Sequence, residues 1–279
     1  MLITIIFCAA LLLFFVILHW AEKIKRLRKR ERQLHGLDVL QHVLALLTNV
    51  QQHRGISAAL LNGDVSFAAR LATKRNEIQG IFKNLGPLLV ETIELRSDAN
   101  SLLAVEREWE MMSSNIANTS AEQSFHKHTV LIRKIIHLLG DIGEHIGLLD
   151  GEGSPLALLS NTLLRKLPLL MESIGQARAL GSGYAAKGQC GAVGRIRMNF
   201  LEQHIRECQQ DISSSTENTH ATQRVNALLN VINERFIAVE EINITPDAFF
   251  RTATDAIEAC LNLWKDLAEV TGEIVETRS

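Results

Sequence analysis

From Leu2 to Leu18 the chain is apolar apart from Thr4, and His19 and Trp20 follow. A run of this kind is near the lower length limit for a helix that crosses a hydrocarbon core. Beyond it, apolar residues recur at helical spacing almost throughout, and no segment alternates as a strand would. Turn signals fall at Asn62-Gly63-Asp64, Gly86-Pro87, Asn118–Ser120, Asp150-Gly151-Glu152-Gly153, Lys187–Gly191, Ser213–Ser215 and Thr245-Pro246. They divide the rest of the chain into about eight helical stretches. Ser154-Pro155 and Thr245-Pro246-Asp247 read as helix starts, an N-cap hydroxyl followed by proline in the first turn. Pro168 lies inside a helical run, which it should kink or begin.

The glycine-rich turn at Asp150–Gly153 sits near the middle, with four helices expected on each side. The halves echo each other around one motif. Val50 to Ala59 aligns without gaps on Ile174 to Gly183, with Arg54 opposite Arg178. The expected architecture is all-α: an N-terminal transmembrane helix followed by two antiparallel four-helix bundles. The corresponding boundaries are an anchor over 1–21, a basic juxtamembrane segment over 22–36, and a helical body over 37–279. The body divides into bundles at roughly 37–150 and 151–279.

Composition narrows the choice. Only four prolines and a 5% aromatic content argue against a sandwich or barrel, and 47% hydrophobic residues exclude disorder. The net charge of −2 conceals an asymmetry. Residues 1–32 carry seven basic side chains (Lys23, Lys25, Arg26, Arg28, Lys29, Arg30 and Arg32) against Glu22 and Glu31. The remaining 22 basic and 29 acidic residues give the body a net charge of −7. So acidic a body argues against nucleic acid as a partner. Basic residues directly after an apolar run, with none before it, describe an uncleaved anchor rather than a signal peptide. The positive-inside rule then places the body on the cytoplasmic face of the inner membrane, with the basic residues against anionic headgroups. Cys8, Cys190, Cys208 and Cys260 show no paired spacing, which suits a reducing compartment.

Two arginines stand out because they lie on apolar stripes. One stripe reads Leu40, Leu44, Leu47, Gln51, Arg54, Ala58, Leu61; the other reads Leu167, Met171, Ile174, Arg178, Gly181, Ala185. Small residues follow each arginine, allowing close helix approach. A guanidinium between helices needs an anion. That anion is either a carboxylate from a facing helix, with Glu91, Glu94, Glu172 and Glu240 as candidates, or a small planar oxyanion held by both forks.

At these residues the chain resembles the nitrate- and nitrite-sensing (NIT) family. The pattern Leu-x-x-x-Gln-x-x-Arg-Gly-x-Ser-Ala-x-Leu over Leu47 to Leu60 is similar to that family's signature helix. Phe125 to Ile132, the Leu148-Leu149-Asp150 turn, Leu167-Pro168-Leu169-Leu170 leading to Arg178, and Ile244 to Phe250 fit in order. The resemblance spans about residues 37–275 and implies paired four-helix bundles that bind nitrate or nitrite through inward arginines, Arg54 and Arg178. His53 stands where the family commonly has glutamate, which makes it an accessory anion-binding candidate. Arg197, near the second motif, is another. Family members usually carry an output module; this sequence stops at Ser279 directly after its last helix, so signalling through a separate partner protein is expected, and a single anchor helix followed by a bundle suggests a homodimer.

Other constellations are weaker. His137, Asp141 and His145 share a helical face without further ligands, so no metal is expected. Gly181-Ser182-Gly183 lacks the lysine and preceding strand of a phosphate loop. No nucleophile–base pair and no cofactor motif is readable, and no enzymatic activity is expected. A membrane-anchored scaffold with its arginines locked in ion pairs, and a chemoreceptor-like sensor of another small ligand, are the alternatives.

Overall fold

A computed structural model describes residues 2–151, 153–213 and 219–277; the side chains of 2–6, 8–10 and 219 lie outside that description. The chain is all-α. Helix α1 (Leu2–Leu61) is followed by α2 (Ala68–Glu91), α3 (Arg96–Ser114) and α4 (Ala121–His145). After the central turn come the short α5 (Pro155–Asn161), then α6 (Leu167–Lys187), α7 (Gly191–Ser213), α8 (Thr219–Ile232) and α9 (Pro246–Thr277). In the first half α1 packs on α2 and α4, and α3 closes against the same two helices. In the second, α6 packs on α7 and α9, and α8 closes on those two. The halves meet where α1 and α4 touch α6 and where α1 touches α9.

Local chemistry accounts for the helix ends. Ser120 and Gln123 form a reciprocal capping box at the start of α4, and Ser154 accepts from the Ala157 amide ahead of Pro155. Thr245 likewise accepts from the amide of Ala248. The Gly86-Pro87 break expected from sequence does not occur. Pro87 lies inside α2, whose core residues Leu85 and Leu89 stay buried on either side of it. Tertiary burial of that face outweighs the missing amide, and the helix ends five residues later, where Thr92 turns extended. Pro168 instead falls in the first turn of α6, behind a π-helical turn at Thr162–Lys166. The widened turn leaves the Leu163 carbonyl free to accept from the buried Trp264 indole at 2.8 Å.

The 60 residues of α1 form one helix, so the expected boundary between anchor, basic segment and body is not a break in the backbone. Among the described residues no helix is long and apolar enough to cross a membrane. The expected span lies partly outside the described side chains; within them, Phe7, Leu11 to Leu18 and Trp20 are all exposed. The basic segment is not wholly free. Lys29 pairs with Asp150 at 2.8 Å, Arg32 with Glu94 at 2.7 Å, and Gln33 donates to the Gly147 carbonyl at 2.7 Å. Three contacts thus tie α1 to the rest of the body just before its core stripe begins at Leu37.

The second half depends on close approach of α6 to α9. A Cβ at Gly181 would fall within the Phe249 ring, which is itself fully buried against Phe236. Gly183, on the same helix, faces open space. Gly181→Ala should therefore lower stability by about 1–3 kcal/mol through overpacking, whereas Gly183→Ala should leave it equal or raise it by about 1 kcal/mol through helix propensity. Thermal unfolding of the two full-length variants, measured side by side, checks the contrast.

Candidate functional site

Both stripes read from the sequence turn inward. Leu40, Leu44, Leu47 and Gln51 lead to Arg54, only 1% exposed, and Leu167, Met171 and Ile174 lead to Arg178, 7% exposed. Each guanidinium reaches the last helix of its own half in the same way. Arg54 donates to the Thr129 hydroxyl at 3.2 Å and lies 5.3 Å from the Phe125 ring, both on α4. Arg178 donates to the Thr254 hydroxyl at 3.1 Å and lies 4.8 Å from the Phe250 ring, both on α9. Phe125-x-x-x-Thr129 and Phe250-x-x-x-Thr254 are thus equivalent elements of the internal repeat. In the sequence, extending the arginine alignment by one further residue of offset would have found them.

The repeat breaks at the counter-charge. Glu172, on α6, receives Arg54 as a two-pronged ion pair at 2.6 and 3.1 Å. Gln51 and Gln176 donate to the same carboxylate at 3.0 and 2.9 Å, so four N–H groups hold its two oxygens. Gly175 makes room for this, since a Cβ there would lie 2.8 Å from the Arg54 Nη2 atom. Of the four carboxylates open to Arg54 from sequence, Glu172 is the one that pairs with it; Glu94 engages Arg32 instead. Arg178 has no such partner: among the described residues it makes no ion pair. Burial, with repulsion from Arg54, lowers its pKa to about 10, so the side chain stays cationic at neutral pH. Two buried donors, Arg54 Nε and the Ser182 hydroxyl one turn beyond Arg178, also have no hydrogen-bond partner among the described residues.

His53 and Arg197 are not brought to this pair. His53 is buried on a neighbouring face of α1, against the Trp109 ring of α3, with its Nδ1 2.8 Å from His128 Nε2. The His128 Nδ1 lies 2.7 Å from the Ser124 carbonyl, which can only accept. In a neutral His128 ring the Nε2 therefore accepts, and His53 donates to it. Burial pushes the pKa of His53 down to about 3 and that of His128 to about 4, so neither ring carries charge near pH 7. Arg197 is half-exposed on α7 and pairs with Glu122 of α4 at 3.3 Å, a bridge between the halves. His145 of the histidine–aspartate face engages Asp98 of α3 rather than Asp141.

Each half of this all-helical chain thus turns one arginine inward, Arg54 in the first and Arg178 in the second. The chain matches the nitrate and nitrite sensing family over residues 45–271 and belongs to it. Among solved structures, that of the NasR transcription antiterminator is similar in fold, with a TM-score of 0.72 at 14% sequence identity. The likeness covers 94% of this chain and 75% of that one. No curated protein matches the chain.

Two outcomes follow from this geometry. Arg54→Met strands Glu172 as a buried, uncompensated charge and should cost about 3–5 kcal/mol, while Arg54→Met with Glu172→Met should recover most of that loss. Denaturant unfolding of both variants measures it. The histidine pair has the opposite character to a stabilising cation. Its folded pKa values lie below the ordinary 6.5, so the unfolded chain binds more protons and stability falls as pH drops below 6.5. Melting temperature should decline between pH 7 and pH 5 by roughly the amount two titrating imidazoles dictate. The decline should flatten in a His53→Leu, His128→Leu double variant.

Proposed function

We propose that this protein is a membrane-tethered sensor that binds nitrate or nitrite between its two helical halves and signals through a partner protein. Arg54 and Arg178 form the clamp. The observation that carries this reading is the buried Arg178 guanidinium, which is held by a threonine hydroxyl and an aromatic ring and makes no ion pair among the described residues. A buried charge left in that state is costly, and a bound anion removes the cost. The unpartnered Arg54 Nε and Ser182 hydroxyl offer further donors. Phe250, 42% exposed beside Arg178, brings this shell into contact with solvent, which suits an entry gate.

In the empty state Arg54 and Arg178 repel each other. An oxyanion bridging them favours closer approach of α1–α4 to α6–α9, shifting an equilibrium between two packings of four-helix bundles. The two halves, about 37–150 and 151–279, act as the moving parts. Tethering is supported by the exposed apolar residues Leu11 to Leu18 followed by the exposed Lys23, Lys25, Arg26 and Arg28 on one helix. Such an arrangement suits the inner membrane with the body on its cytoplasmic side and a homodimer paired through α1.

A locked-scaffold reading has one observation in its favour: the Arg54–Glu172 pair is already complete without a ligand. Nitrate decides between the readings. A ligand present at about 100 times its Kd adds about 2.7 kcal/mol of stability, so the melting temperature of the sensor should climb with nitrate concentration beyond the effect of equal chloride. Arg178→Gln should abolish that climb while leaving the nitrate-free melting temperature unchanged or higher. An unchanged melting temperature for the unaltered protein in nitrate would establish the scaffold.

A further inference from the structure

We infer that Glu172 is the specificity-determining residue of the anion site, fixing its charge so that it takes a singly charged oxyanion and rejects doubly charged ones. The inference rests on the reading that Arg54 and Arg178 bind an anion. It starts from a charge census of the buried cluster. Arg54 and Arg178 contribute two positive charges and Glu172 one negative. Thr129, Thr254, Gln51 and Gln176 are neutral, and so are His53 and His128 behind Arg54 near pH 7. Glu258 of α9 attracts Arg178 but is exposed and screened by water. The enclosed cluster therefore holds one net positive charge.

One monovalent anion closes that balance. A divalent anion such as sulfate leaves an uncompensated negative charge in a region of low dielectric, which is strongly unfavourable. Glu172 cannot move aside to accommodate it, because four donors fix both its oxygens and Gly175 lets Arg54 lie against its helix. Within the internal repeat this carboxylate is present in one half alone. The position equivalent to Glu172 is Thr48, whose hydroxyl donates to the Ala45 carbonyl of its own helix. Two such carboxylates would cancel both arginines and leave nothing for a ligand; none would leave two charges and favour a divalent guest.

The test is calorimetric titration of the full-length protein in detergent with nitrate and with sulfate at matched ionic strength. The unaltered protein should bind nitrate at least about tenfold more tightly than sulfate. Glu172→Gln should erase or reverse that preference, chiefly by gaining sulfate. Glu172→Asp, which keeps the charge, should retain it. Thr254→Asp, which gives Arg178 its own carboxylate, should lose nitrate. If Glu172→Gln discriminates as the unaltered protein does, the inference is overturned while the anion-binding reading stands. If neither protein binds either anion, both fall. Should Glu172→Gln fail to fold, Glu172→Asp and Thr254→Asp decide: sulfate binding by the first, or undiminished nitrate binding by the second, overturns the inference.

Discussion

A guanidinium enclosed between helices has to be balanced, and the junction between the two halves of this protein is built around that requirement. Arg54 is balanced from the other half: its carboxylate comes from α6, its hydroxyl from α4, and its own helix supplies Gln51 to hold the carboxylate in place. The pair therefore does two things at once. It satisfies a buried cation and pins the first half to the second, so α1 and α6 cannot separate without exposing both charges to an unfavourable intermediate. The glycine at 175 follows from the same contact, since a Cβ there would crowd the Arg54 guanidinium out of its place against Glu172. Arg178, by contrast, is held by a hydroxyl and a ring, contacts that position it without neutralising it.

This asymmetry inside a repeated architecture gives the site its direction. A duplicated helix pair would be expected to carry equivalent arginines in equivalent surroundings, and for the Phe-x-x-x-Thr elements it does. Divergence at one position, glutamate in one half and threonine in the other, turns a symmetric pair of cations into one structural arginine and one that remains open. The histidine pair beneath Arg54 adds to the rigidity of that side. Its two neutral rings and the Trp109 indole fill the space between α1, α3 and α4 without introducing charge.

Much of this was legible from residue order because it follows local rules. Both arginine stripes, the helix starts at Ser154 and Thr245, and the interruption between α4 and α5 depend on spacing within one helix or turn, and the structure has each of them. What escaped depends on partners distant in sequence. Pro87 reads as a break, yet burial on both of its flanks keeps α2 intact. Glu172 was one of four candidate partners that spacing could not separate, because the choice is made by how α6 faces α1. His53 looked like an anion ligand from its place beside Arg54, but adjacent residues on a helix point about 100° apart, and that turn carries it to His128 instead. Arg197 lies near the second motif in sequence and is drawn away by Glu122.

The continuity of α1 has a mechanical consequence. Arg54 and Trp20 belong to one uninterrupted helix, and 34 residues at the usual rise separate them by about 50 Å. A rod of that length acts as a lever whose fulcrum is the point where Lys29, Arg32 and Gln33 fasten it to the body. The arginine cluster lies about 23 residues to one side of that point, so a tilt of about 5° would move it by about 3 Å and a point 20 residues to the other side by roughly 2–3 Å. Because no loop intervenes between them, the arginine cluster and the N-terminal end share the axis of one helix.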